Sequence, residues 1–171
     1  MPERVAKFEK VSKEQFAADF VSCIGGNAAA AERLYENVKL PVRATAGSAG
    51  YDIISPVDFV LEPGQSIKVP TGLRIKMEPG WMLLILPKSG LGSRFRLQLD
   101  NTMGLIDADY YDSDNEGHIM VPVTNDSKLY GKTLTLPAGK AFVQAVLVPY
   151  GITVDDAAGG RRTGGFGSTG V

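Results

Sequence analysis

Turn-forming residues are spaced so closely along this chain that only short segments can lie between them. Twenty glycines and ten prolines are spread through 171 residues, and Leu61-Glu62-Pro63-Gly64, Glu78-Pro79-Gly80 and Pro137-Ala138-Gly139 each break an apolar run. Glycine accepts the backbone angles of tight turns and proline cannot continue a central strand, so the pattern predicts a meander of short strands. Between the stops, Ile67, Val69, Leu73, Ile75 and Met77 alternate around a bend at Pro70-Thr71-Gly72, and Lys132 to Leu136 alternates again. Trp81 to Leu86 and Phe142 to Pro149 are almost continuously apolar, as in strands buried on both faces or at an interface. The implied class is all-β.

One stretch departs from this rhythm. After a first strand over Arg4–Val11, Ser12 to Gln15 reads as a capping box, and Phe16, Phe20 and Ile24 follow at helical spacing until Gly25-Gly26. Asn27 caps a second helix rich in alanine that leads to Leu34 and Tyr35. This pair, residues 12–36, is expected to be a helical insertion with a packing or oligomer-interface role, with Cys23 as a buried small hydrophobe. A chain of this length with 44% hydrophobic residues has core enough for one domain, residues 1–171. Eighteen basic against nineteen acidic residues leave a net charge of -1, which offers no footprint for nucleic acid or an anionic membrane. A single cysteine, no signal-peptide layout and no membrane-length apolar run predict a cytoplasmic protein.

Chemistry-bearing residues cluster in a few places. Gly104 to Gly117 reads as a hairpin projecting from a sheet, with Asp107, Asp109, Asp112, Asp114 and Glu116 crowded on it; it is either a solvated acidic turn or a functional loop. Pro87 to Arg94 (PKSGLGSR) reads as a loop at a strand end whose cation, hydroxyls and glycine amides suit a phosphate. Gln144 is the one polar side chain in the last apolar strand and must find partners if buried. From Asp155 to Val171 the chain reads as a mobile glycine-rich tail, whose arginines and hydroxyls suit a triphosphate and whose Phe166 offers a stacking face. His118, the only histidine, excludes a histidine-based zinc site and reads as incidental to the hairpin base.

Taken in order, AGSAGYDI (46–53), PKSGLGSR (87–94), GLIDADY (104–110), AFVQAVLVP (141–149) and RRTGGFGSTG (161–170) resemble the motifs of the trimeric dUTPase family, in its bacterial and phage-type subgroup. The resemblance runs from about Val38 to the C-terminus and omits the helical insertion. It implies a distorted jelly-roll or β-barrel subunit (a β-clip fold) in a homotrimer with sites at subunit interfaces. The implied reaction is Mg²⁺-assisted hydrolysis of dUTP to dUMP and pyrophosphate, which limits uracil incorporation into DNA and supplies dUMP for dTMP synthesis.

On the same resemblance, Asp107 activates the attacking water, and Tyr110 packs against deoxyribose so that a ribose is excluded. Asn101, Gly104, Met120 and the loop backbone form the uracil pocket; Lys88, Ser89, Gly90 and Gln144 hold phosphates. Arg161, Gly167, Ser168 and Thr169 grip the γ-phosphate end and Phe166 stacks on the base. Asp52 supports the site from behind, through arginine or water contacts. No direct protein ligand to the metal is implied, because Mg²⁺ retains water and prefers phosphate oxygens. The chain departs from the family pattern at Lys88, where arginine is usual, at Ala141, at Arg162, and in the long turn Tyr111–Asn115. Two rivals stand beside this reading. A dCTP deaminase of the same fold would need a glutamate after the hairpin, and Ile119–Asn125 has none. A regulatory trimer would bind dUTP without turnover and signal through the helical insertion.

Overall fold

A computed structural model describes residues 3–128 and 131–160 of the chain. Strand β1 (Ala6–Lys10) is followed by helices α1 (Lys13–Ile24) and α2 (Ala28–Tyr35). Short strands then succeed one another: β2 (Val42–Arg43), β3 (Tyr51–Ile54), β4 (Phe59–Leu61), β5 (Ser66–Pro70), β6 (Leu73–Met77) and β7 (Trp81–Pro87). Helix α3 (Ser89–Phe95) precedes β8 (Leu97–Leu99) and β9 (Gly104–Ile106), and a 3-10 helix (Ala108–Asp112) leads to β10 (Met120–Asn125), β11 (Leu134–Leu136) and β12 (Ala141–Pro149).

The strands form antiparallel sheets in the orders β1-β6, β5-β10-β8, β11-β4 and β2-β3-β12-β7-β9. The sheets are not closed into a barrel; they wrap one core in the manner of a jelly roll. Alternation explains much of this. Along β10 every second residue is buried, Val121, Val123 and Asn125, because successive side chains point to opposite faces. Phe142, Ile53, Leu83, Ile85 and Leu134 are closed off from solvent in the same core.

Both helices start at the predicted caps, but the Ser12–Gln15 capping box does not close, since the Gln15 amide group donates to Asp19 at 2.9 Å. Ser12 Oγ accepts from the Gln15 amide at 3.1 Å and Asn27 Oδ1 from the Ala30 amide at 2.9 Å. Gly25, at φ 90, ends α1. Phe16 is fully buried and Phe20 nearly so, in the same core as the strands, which bears out the packing role. Ile24, by contrast, is exposed, and Cys23 is half-buried, its Sγ 3.8 Å from Met120 Sδ.

Two readings need correction. PKSGLGSR is not a loop: Ser89–Phe95 forms a helix after the extended residue Lys88, closed by Arg96 in the left-handed region. Gly104–Gly117 is not a hairpin, since β9 pairs with β7 while β10 pairs with β5 and β8. The acidic segment therefore crosses between sheets, and most of its second half is tucked in. No helix among the described residues is long and apolar enough to cross a membrane.

Candidate functional site

The candidate residues gather at the two ends of the five-stranded sheet. Its register sets Gln144 opposite both Asp52 on β3 and Leu86 on β7, and directly opposed residues of antiparallel strands share a face. Lys88 follows β7 and its amide donates to the Phe142 carbonyl at 3.1 Å. From there its ammonium reaches both Asp52 carboxylate oxygens, at 2.8 and 2.9 Å. Asp52 thus pairs with the Lys88 ammonium. Each side chain of the pair is about one-third exposed, so the pair orients the cation more than it stabilises the fold.

Gln144 is half-buried, not enclosed. A Cβ on Gly50 would lie 2.9 Å from Gln144 Oε1, so the AGSAGYDI turn sits directly against the amide. The space beside the Gly90 backbone is open. Asp52, Lys88 and Gln144 therefore form one polar cluster.

Asp107 lies elsewhere on the sheet. Leu83 opposes Ile106 and Ile85 opposes Gly104, which places Asp107 one step beyond, near the level of Met82. Met82 to Lys88 spans roughly 20 Å at ~3.3 Å per residue. Leu105 points outward and Ile106 inward, so by alternation Asp107 shares the outer face with Leu105. It is half-buried, in extended conformation, at the start of the 3-10 helix. That helix takes the chain off the strand path before Tyr110, which is buried.

Tyr110 is only 2% exposed. Its hydroxyl donates to the His118 carbonyl at 2.8 Å and accepts from Asn115 Nδ2 at 2.9 Å. Its ring is consequently held inside its own subunit, with little surface left for a sugar. Asn101 is exposed in the turn between β8 and β9. Gly104 is buried where a Cβ would crowd Ile85 at 3.1 Å and Leu99 at 3.2 Å. Met120 opens β10 against Pro70 and touches Cys23. Arg161, Phe166, Gly167, Ser168 and Thr169 lie outside the described residues.

Two residues of the segment were misread from sequence. Asp112 and Asp114 are exposed as expected, but Glu116 is half-buried and bonds Ser12. His118 is fully buried rather than incidental: Nδ1 lies 2.6 Å from Asp19 and Nε2 accepts the Gly72 amide at 2.8 Å. Burial alone would push the Asp19 carboxyl up, yet the His118 and Gln15 hydrogen bonds outweigh it and hold the group below its ordinary value.

The family model described as dUTPase matches residues 36–170. The deoxyuridine 5'-triphosphate nucleotidohydrolase of Paraburkholderia phymatum is 41% identical over 140 residues, covering 77% of this chain and 89% of its own. The crystal structure of dUTPase from Streptococcus mutans superposes with a TM-score of 0.60 at 35% identity, over 71% of this chain and 91% of that one. A mutant dUTPase from phage phi11 of S. aureus, which coordinates a structural Mg(II) ion, shares the fold with a TM-score of 0.64 at 20% identity, over 91% and 97% of the two chains.

Proposed function

The chain belongs to the dUTPase family and hydrolyses dUTP to dUMP and pyrophosphate, and we propose that it does so at sites shared between the subunits of a homotrimer. The observation that carries this reading is the separation of Asp107 from Lys88 along β7. A carboxylate that activates water must lie within ~3 Å of that water. Asp107 and Lys88 of one chain, roughly 20 Å apart by strand rise, cannot serve the same phosphorus. Asp107 of one subunit facing the Lys88 cluster of a neighbour resolves the difficulty.

The sheet face between the two ends supports the same assembly. Met82, Leu84 and Leu86 on β7 lie beside Val148, Val146 and Gln144 on β12, and all are half-buried. Leu105, opposite Leu84, is 47% exposed. An apolar strip of this kind is what a symmetric interface buries.

In the reaction, Asp107 orients water for in-line attack on the α-phosphorus, a contribution of ~10²–10⁴-fold. Lys88, kept extended by Asp52, places its charge on the phosphates together with Ser89, Gly90 and Gln144, so that negative charge building on the leaving pyrophosphate is met. Asn101, Gly104 and Met120 contribute to the uracil pocket, and a base lacking the matching edge leaves buried groups unpaired. Arg161, Ser168 and Thr169 would close on the γ-phosphate, and Phe166 on the base. The neutral amide oxygen of Gln144, half-exposed beside a phosphate site, suits a hydrated hard cation, so Gln144 and the triphosphate oxygens would hold Mg²⁺ through its water shell. When bound, the ion neutralises the triphosphate. A soluble nucleotide substrate favours a cytoplasmic setting.

Product analysis with dUTP, UTP, dTTP and dCTP, with and without Mg²⁺, tests the function. Preferential release of dUMP and pyrophosphate from dUTP is expected; ammonia from dCTP, or tight dUTP binding without any product, would overturn it.

A further inference from the structure

Glu116 and Gly117 are consecutive residues in the left-handed region, at φ 58 and 69. Glycine is required at 117, because a Cβ there would lie 2.7 Å from both the Tyr110 carbonyl and the Tyr111 Cα. Glutamate at 116 has no such excuse. A side chain held in an unfavourable backbone region persists when surrounding contacts over-determine it. Two contacts do so here: its carboxylate accepts the Ser12 amide at 2.7 Å and the Ser12 hydroxyl at 2.6 Å. The same hydroxyl caps α1 by accepting from Gln15. Glu116 thereby takes the place that Gln15 would fill in a capping box, from 104 residues away along the chain. A carboxylate there also meets the positive end of the α1 dipole.

A second tie to the same helix lies two residues further on. Because His118 Nε2 accepts the Gly72 amide, the ring proton resides on Nδ1 and is donated to Asp19 of α1. From there the segment is closed back on itself: the Tyr110 hydroxyl donates to the His118 carbonyl, and the Tyr110 amide to the Asp107 carbonyl at 3.2 Å. Movement at Glu116 is therefore transmitted to the start of the 3-10 helix.

We propose that Glu116 is a positioning residue for dUTP hydrolysis, locking the Asp107–His118 segment onto the N-terminus of α1. The helical insertion, which lies before the matched family region, then acts as a brace for the catalytic carboxylate. The inference rests on the assignment of Asp107 made above. A mispositioned Asp107 weakens the transition state and leaves the phosphate grip of the neighbouring subunit intact, so the effect falls on kcat and not on KM.

Glu116→Gly is the informative variant, because glycine is at ease at φ 58 and the anchor alone is lost. Below its Tm it should show kcat lowered by about tenfold, with KM for dUTP within about twofold of wild type. Glu116→Gln, which keeps one amide oxygen to accept from Ser12, should recover most of that loss. On the Glu116→Gly background, Ser12→Ala should lower kcat less than it does in the wild type, since both act through one contact. Wild-type kcat in Glu116→Gly, or a loss that Glu116→Gln fails to recover at all, would overturn the proposal. A wild-type chain releasing no dUMP would instead remove the functional reading on which it rests.

Discussion

Asp107 is the residue to which the proposal assigns the attacking water, and its acidic neighbours have other surroundings. Asp112 and Asp114 face solvent, while Glu116 is committed to Ser12. Replacing Asp107 with asparagine preserves shape and removes the base. Turnover of dUTP should fall by ~10²–10⁴-fold while binding of a non-hydrolysable dUTP analogue, followed by calorimetry, stays near wild type. The sequence drew attention to Asp107 and Asp52 through the GLIDADY and AGSAGYDI segments. The Asp52–Lys88 contact was not legible there, because it joins side chains 36 residues apart. Glu116 and His118 were misread for the same reason. Their partners on α1 lie 104 and 99 residues away, and local sequence carries no sign of them beyond a Glu-Gly turn.

Elements were legible wherever local chemistry decided them. Ser12 and Asn27 capped the helices they were expected to cap, and the Glu-Pro-Gly stops separated real strands. Helix α3 was missed because Gly90 and Gly92 sit inside it, and two glycines weigh against a helix unless tertiary contacts override propensity. The supposed hairpin failed because alternation reveals strands but not their partners. Helix α1 proves to belong to the core: Phe16 is fully buried, with ring centroids 6.0 Å from Phe20 and 5.7 Å from Tyr35. Phe16→Ala should therefore destabilise the fold by about 3–5 kcal/mol, read as a lowered midpoint in urea. Strand β1 carries a pH-sensitive anchor. The Tyr111 hydroxyl, then the Lys7 ammonium, hold the Glu9 carboxyl down to about 2 from an ordinary 4.5. Since the folded value is the lower one, this stabilisation is complete above pH ~4.5 and is lost as pH falls toward 2. Glu9→Gln should flatten that part of the acid-unfolding curve measured by circular dichroism.

For the whole molecule, the outer face of the five-stranded sheet is the decisive surface. The continuous apolar run of β7 was read from sequence as a strand buried on both faces or at an interface, and the chain alone covers only one of its faces. Leu84 sits at the middle of that face, between Val146 and Leu105. A charge buried there without a partner is strongly unfavourable, so Leu84→Glu should convert the assembly to monomer in sedimentation and abolish turnover while leaving the subunit folded. The central claim, that one subunit's Asp107 works with another's Lys88, is tested most directly by mixed assemblies. Asp107→Asn and Lys88→Glu chains, each folded and inactive alone, are co-expressed with different tags and the hybrids purified. In a trimer that mixes the two chains about one interface in three brings both intact residues together, so the purified hybrids should recover dUTP hydrolysis to about a third of wild type. Hybrids no more active than the two parents combined would contradict the shared site.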